Sequence, residues 1–331
     1  MIKCSICNKE SVYYNSKDSS ELCEEHFCQS FETSVKNNML EFKNKKIAVY
    51  FSGGKDSVVL LYVLKKILNY DIIAITADLG IKNHTEKIIE LGKKMCKELD
   101  IPFYKVVLKD IINTDVCSIV EKNGTDIACN YCGEIRNIAL DLASKELKVD
   151  AYASGHNCDD VTRFLLNNYL KNDIFRIVEF ACKVFPDTKI KDKIEYENPT
   201  QLKPLIYLTE KEITLYSIIK KLEIINSCCG ISEIEKTTMQ NWRKDLTNSI
   251  YYYEDKYPGI SIKMINNFEK NILPVFNEML LNNPDSYKKR QCVFCKEEMK
   301  TTQKDIFLIC KKCSEKIDLK YVLKKDWLIK I

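Results

Sequence analysis

The sequence lacks any run of about 18 apolar residues, which excludes a membrane-spanning helix. No signal-peptide pattern opens it, so a soluble, cytoplasmic chain is expected, with no membrane partner. Long internal repeats and low-complexity linkers are absent too, which excludes solenoid and linker-built architectures. Net charge is scarce, at +4 over 331 residues, but it is unevenly placed. From Lys288 onward there are 13 Lys/Arg against 6 Asp/Glu, a local +7 that leaves −3 for residues 1–287. A basic tail on a mildly acidic body points to a polyanionic partner at that end, although a solvated lysine-rich face would read the same way.

What is abundant is cysteine. Sixteen of them in an intracellular chain argue for metal or cluster ligands rather than disulfides. Cys4-x2-Cys7 is followed after 15 residues by Cys23-x2-His26, with Cys28 just beyond as a rival fourth ligand. Two close pairs at that distance are the layout of a structural zinc site, whose metal would supply much of the folding energy of so short a module. At the other end, Cys292-x2-Cys295-x14-Cys310-x2-Cys313 has the spacing of a zinc ribbon. Lys288, Lys289, Arg290, Lys296, Lys300, Lys311, Lys312 and Lys316 surround it, a coat suited to phosphates. Two zinc ions are therefore expected.

The stretch on which the middle of the chain is organised is Lys46–Leu61. Ile47–Phe51 is a short apolar run of the kind that makes a buried strand. Ser52-Gly53-Gly54-Lys55-Asp56-Ser57 follows, and the apolar density from Val58 is that of a helix on a sheet. A strand, a glycine turn and a helix N-terminus form an anion site, because the first helical N–H groups and the helix dipole favour negative charge. Lys55 and Asp56 are expected on an exposed loop, the minor alternative being an ordinary strand–turn–helix capped by Asp56 or Ser57. The spacing is not that of a Walker A loop. It looks like the PP-loop of the N-type ATP pyrophosphatases.

From Asn38 to about Phe185, apolar runs at Ile47–Phe51, Ile72–Ala77, Phe103–Leu108 and Ala151–Ser154 alternate with helical stretches. That predicts an α/β fold with a doubly wound parallel sheet, flanked by N- and C-terminal zinc-binding modules, and ligands at the carboxyl ends of the strands. Asp78 of Asp78-Leu79-Gly80 falls there, as a candidate for ribose, adenine or Mg²⁺. So do Gly155, His156, Asp159 and Asp160 of Gly155-His156-Asn157-Cys158-Asp159-Asp160, although carboxylates opening a helix are also caps. Cys129-x2-Cys132-Gly133 leads into a helix with Arg136 one turn on, in reach of a phosphate. With Cys228-Cys229 far along the chain, three thiols would leave one iron of a 4Fe-4S cluster without protein sulfur. Thr209-x2-Glu212 fits a capping box that explains Glu210 and Glu212 without catalysis. Residues 235–282 read as helical. The expected divisions are 1–30, a zinc finger; 31–235, the nucleotide domain; 236–287, a helical extension; and 288–331, a zinc ribbon.

The order of these elements resembles the tRNA 2-thiouridine synthetases, the TtuA-type enzymes and the related wobble-uridine thiolation proteins, over nearly the whole chain. The features that match are the Cys/His finger, SGGKDS, DLGI at 78–81, CxxCG at 129–133, GHNxDD at 155–160, Lys203-Pro204-Leu205, a cysteine near 229 and the C-terminal Cys4 finger. The resemblance implies Cys129, Cys132 and Cys229 as ligands of a 4Fe-4S cluster, with ATP and Mg²⁺ at Asp56 and Asp160. Arg136 stands where TtuA-type members carry a lysine. Matching a Cys-Pro-Tyr-Ser pattern selects Cys229, and a one-residue shift would select Cys228. The chemistry implied is adenylation of the uridine C2 oxygen, with pyrophosphate released, then replacement of that oxygen by sulfur. The sulfur donor is sulfide or a ubiquitin-like thiocarboxylate protein, and the oligomeric state is open, a homodimer included. Cys129, Cys229, Asp56 and Arg136 are the expected catalytic set. Three rivals remain: a persulfide on Cys129 or Cys229 without a cluster, a small-molecule sulfurtransferase or amidotransferase, and an RNA-binding protein with a dead nucleotide fold.

Overall fold

The computed structural model describes residues 1–81, 84–123, 125–185, 200–225, 238–282, 290–291, 298–299, 324 and 327–331; some helical side chains within these spans, Cys129 among them, lie outside the description. Its centre is a six-stranded sheet. The strands are β3 (Ile47–Tyr50), β4 (Ile72–Asp78), β5 (Phe103–Val107), β6 (Ala151–Ala153), β7 (Thr200–Leu202) and the C-terminal β10 (Leu328–Lys330), in the order β10-β5-β4-β3-β6-β7. Every neighbouring pair is parallel except β10, which runs antiparallel to β5 with Leu328 opposite Val106. The order reverses between β3 and β6, so the loops leaving those two strands border the crevice where such sheets bind ligands.

The strands form here because their side chains alternate between two apolar layers. Ile47, Val49, Phe51, Ile72 and Ala74 face one way, into a core shared with helices α2 (Lys55–Tyr62), α3 (His84–Leu99) and α9 (Glu210–Ile219). Ala48, Ile73, Ile75 and Val106 face the other way, toward α4 (Lys109–Ile112), α5 (Val116–Asn123), α6 (Thr125–Glu146) and Trp327. A third cluster joins α7 (Cys158–Leu170), α8 (Ile174–Val184) and the helices at 260–267 and 273–282. Of the stretch 235–282 expected as helical, residues 235–237 lie outside the described residues, and the rest holds Thr238–Lys256, Ile260–Asn267 and Leu273–Asn282, the last two joined by a π turn at Phe268–Ile272.

At the N-terminus a hairpin, β1 (Tyr13–Asn15) with β2 (Ser20–Leu22), precedes α1 (Glu24–Asn37). The expected boundary at residue 30 falls inside α1. Phe27, Phe31 and Val35 of this helix are buried in the first core layer, where Phe31 stacks on Tyr216 at 4.1 Å. The N-terminal module is thus docked on the nucleotide fold. At the other end, the stretch expected as ribbon holds an antiparallel pair, β8 (Arg290–Gln291) with β9 (Glu298–Met299), while its Leu328–Lys330 belongs to the central sheet instead. Three residues, Leu328 and Ile329 half-buried and Lys330 exposed, suffice for an edge strand. Among the described residues, no helix is long and apolar enough to cross a membrane.

Candidate nucleotide and metal sites

The loop between β3 and α2 is shaped by its serines. Ser57, 3% exposed, donates its hydroxyl to the Gly54 carbonyl at 2.9 Å and accepts from the Ser52 amide and hydroxyl, both at 3.1 Å. Gly53 takes φ +74°, a left-handed conformation that glycine adopts without strain. Its carbonyl accepts from the Ile225 amide at 2.9 Å. Lys55 and Asp56 are not on an open loop. They open α2, half-buried, because the helix starts at Lys55 and packs at once on the sheet.

The loop after β6 lies directly on this turn. A Cβ at Gly155 would stand 2.9 Å from the Asp56 carbonyl carbon and 3.0 Å from the Ser57 nitrogen, so only glycine permits the approach. Asn157, 1% exposed, caps α7 by accepting from the Asp160 amide, while the Asp160 carboxylate accepts from the Asn157 amide. The other end of the Asn157 amide reaches outward, donating to Asp56 at 3.2 Å and to Glu210 at 2.9 Å. Asp160 is also paired with Arg163 at 2.5 Å. Asp159 accepts the Glu210 amide at 2.6 Å and so caps α9; burial pushes its carboxyl up to about 6.

Lys55 sits between two carboxylates, Asp56 at 3.2 Å and Glu210 at 2.5 Å. Burial lowers the ammonium pKa, but Asp56 and Glu210 outweigh it and hold Lys55 above its ordinary range. Burial likewise raises Asp56, against the pull of Lys55. The charges of Lys203, Arg136 and Arg163 hold the exposed His156 well below its ordinary value. Its Nδ1 lies 2.8 Å from the Ser154 hydroxyl. Asp78 at the end of β4 accepts from the Gly80 amide and pairs with Lys105 at 3.6 Å, so much of its acceptor capacity serves the turn.

Away from the crevice, the ligand atoms of Cys4, Cys7, Cys23 and His26 all lie within 4.8 Å of one another. Cys4–His26 is 3.3 Å, Cys23–His26 3.4 Å and Cys7–Cys23 3.7 Å. A tetrahedral centre with ordinary zinc–ligand bonds would place sulfur about 3.8 Å from sulfur and about 3.5 Å from nitrogen. The four side chains fit such a centre, and His26, not Cys28, completes it. Cys28 is buried in the core instead, because it lies on the inward face of α1. On α6, Cys129 and Cys132 are three residues apart and share a helical face, with Cys132 half-buried and Arg136 one turn on. Cys228, Cys229, Cys292, Cys295, Cys310 and Cys313 lie outside the described residues.

The profile of the PP-loop domain matches residues 24–226. The tRNA-5-methyluridine(54) 2-sulfurtransferase of Pyrococcus horikoshii is 32% identical over 273 residues, 81% of this chain and 82% of that protein. The chain belongs to the PP-loop tRNA thiolation family. Cytoplasmic tRNA 2-thiolation protein 1 of Lodderomyces elongisporus is 32% identical over 248 residues, which are 70% of this chain and 64% of that longer relative. A solved structure, the U34-tRNA thiolase NcsA from Methanococcus maripaludis with its 4Fe-4S cluster, superposes with a TM-score of 0.70 at 26% identity, covering 83% of this chain and 89% of that one. The family's enzymes are sulfurtransferases built on an ATP-using PP-loop domain.

Within this PP-loop fold, the structure brings together Ser52, Gly53, Gly54, Lys55, Asp56, Ser57, Gly155 and Asp160, and puts His156 and Arg136 within electrostatic reach of each other. Two residues of the cluster at Lys55 were not singled out from sequence. Asn157 sits inside the GHNxDD motif and links both loops to α9. Glu210 reads as part of a helix start, yet the capping belongs to Glu212, whose carboxylate accepts from the Thr209 amide at 2.6 Å. The side chain of Glu210 is left to reach Lys55.

Proposed function

We propose that this chain thiolates tRNA, activating the C2 oxygen of a uridine with ATP and replacing it by sulfur. The observation that carries the reading is the apposition of the Ser52–Ser57 turn and the Gly155–Asp160 loop at the switch point of the sheet, in a chain of the tRNA thiolation family. The amides of the turn and Lys55 bind the triphosphate, and Asp56 and Asp160 hold its Mg²⁺. Asp78 is placed to hold ribose, adenine or Mg²⁺, and Ser52 and Ser57 present hydroxyls to the phosphates. The uridine oxygen attacks the α-phosphorus, pyrophosphate leaves, sulfur adds at C2 and AMP departs. Arg136 is the cation that meets a phosphate of the substrate, and His156, its Nδ1 2.8 Å from the Ser154 hydroxyl, orients by hydrogen bonding.

Cys129, Cys132 and Cys229 are proposed to hold a 4Fe-4S cluster, the group carried by the solved relative. When bound, such a cluster offers one iron without a protein thiolate to an inorganic sulfide. The third ligand follows by four residues in sequence Ile225, whose amide donates to the Gly53 carbonyl of the turn. The Cys228 register is the alternative. Cys4, Cys7, Cys23 and His26 hold structural zinc, and Cys292, Cys295, Cys310 and Cys313 a second zinc in a ribbon that grips tRNA. A sulfide or a ubiquitin-like thiocarboxylate protein supplies sulfur, and the protein acts in the cytoplasm as a monomer or homodimer. The test is pyrophosphate release from ATP by the anaerobically purified protein. Release stimulated by tRNA supports the reading, and release that ignores tRNA but responds to small-molecule acceptors overturns it.

A further inference from the structure

Glu210 has a charge role that neither the PP-loop nor the helix cap requires. It is the first residue of α9, next to the N-cap Thr209. The reciprocal bonds of that cap are made by Thr209 and Glu212, and Glu212 also holds Lys17 at 3.2 Å. Only the backbone N–H of Glu210 serves the helix start, donating to Asp159 at 2.6 Å. Its carboxylate is therefore aimed elsewhere. One oxygen meets the Lys55 ammonium at 2.5 Å and the other the Asn157 amide at 2.9 Å. Asn157 in turn holds Asp56, so the network closes around Lys55.

The charges next to the phosphate turn can be counted. Asp160 is offset by Arg163. Lys55 then faces two carboxylates, Asp56 and Glu210, a net −1 for these three groups where a triphosphate must be placed, and Asp159, which accepts the Glu210 amide, adds to the acidic side. A bare triphosphate meets a cation already engaged and an acidic wall. A triphosphate carrying a divalent cation brings its own offsetting charge. We propose that Glu210 makes this site select the magnesium-bound nucleotide, by occupying Lys55 in the empty site and repelling a triphosphate without a divalent ion. Glu210 is then a positioning and specificity residue that acts through Lys55. The inference rests on the nucleotide-binding reading of the turn.

The experiment uses the full chain and α,β-methylene-ATP, which is not cleaved at the scissile bond, titrated calorimetrically with excess magnesium and in magnesium-free buffer. Wild type binds the magnesium form more tightly. Glu210→Gln keeps the hydrogen bond to Asn157 and removes the charge. It tightens binding of the magnesium-free form about tenfold while the magnesium form changes by less than about threefold, so the ratio between them collapses. Glu210→Asp keeps the charge and retains most of the wild-type ratio. Helix α9 keeps its Thr209–Glu212 cap in both variants, and a thermal melt checks that they are folded. An unchanged ratio in Glu210→Gln overturns the proposal. So does a loss confined to the magnesium form, which would make Glu210 a metal ligand instead. If wild type binds neither form, the nucleotide reading itself falls.

Discussion

Adding one methyl group at Gly155 tests whether the two loops are packed as tightly as the site requires. In Gly155→Ala the new Cβ meets the Asp56 carbonyl carbon at 2.9 Å, and the Asp56 Cβ and Ser57 nitrogen at 3.0 Å, where ordinary contact begins at 3.4 Å. About half an ångström must be found. Two of the three atoms are backbone in the first turn of α2, and residues Ser57–Leu61 of that helix are buried, so α2 does not yield. The Gly155–Asn157 segment moves instead. Overpacking of this kind costs about 1–3 kcal/mol. For a chain of this size that lowers the melting temperature by about 2–5 °C. The displacement also lengthens the Asn157 bonds to Asp56 and Glu210, 3.2 and 2.9 Å in the native loop, so tRNA-stimulated pyrophosphate release falls with it. Gly54→Ala is the control. Its φ is −72° and its Cβ would lie 3.6 Å from the nearest atom, the Ser52 hydroxyl, so the fold accepts it. The methyl projects from the phosphate turn itself, so this variant melts with the wild type yet releases pyrophosphate poorly. Should Gly155→Ala match the wild type in both melting temperature and release, loop apposition does not build the site.

Three further outcomes follow from the same geometry. Asp56→Ala and Lys55→Ala abolish AMP formation while circular dichroism stays that of the wild type; normal turnover in both would remove the phosphate-site assignment. Cys23→Ser lowers zinc content by about one per chain and costs several kcal/mol of stability, because Phe27, Phe31 and Val35 of the adjoining helix are part of the main core; equal melting of the variant and wild type would make the metal ornamental. The third concerns pH. Burial pushes the Asp159 carboxyl from 3.8 up to about 6, so the folded state holds the extra proton between those values and stability declines as pH rises through that window. Asp159→Asn still accepts the Glu210 amide and loses no charge on folding. Its denaturation midpoint therefore gains on that of the wild type between pH 4 and 6, and a constant gap between the two curves would contradict the assignment.

Much of the fold is legible in the sequence because the parallel strands are continuous apolar runs. Ile47–Tyr50, Ile72–Asp78, Phe103–Val107 and Ala151–Ala153 occupy the expected stretches, to within a residue or two. The two outer strands are not legible. Thr200–Leu202 is short and largely polar, and Leu328–Lys330 is recognisable only once β5 offers it an edge. The anion turn announces itself through Gly53-Gly54 beside a strand, since a positive φ and a close approach both need glycine. Glu210 does not, because its partner Lys55 lies far away in the chain and a carboxylate in a first helical turn has a sufficient local explanation. The N-terminal Cys/His cluster was legible for the opposite reason: each pair is local, and the convergence of Cys4, Cys7, Cys23 and His26 is written in the spacing. The four ribbon cysteines, Cys229 and the side chain of Cys129 fall outside the described residues, so those assignments rest on spacing and family membership.

The central claim is that this chain puts sulfur on a tRNA uridine using ATP. Its most direct test is mass spectrometry of tRNA nucleosides from a strain lacking the gene, complemented with either the wild type or Asp56→Ala. The account predicts that a 2-thiouridine derivative is missing in the deletion, returns with the wild-type chain and stays absent with Asp56→Ala. A nucleoside profile that keeps every 2-thiolated uridine in the deletion strain would contradict it.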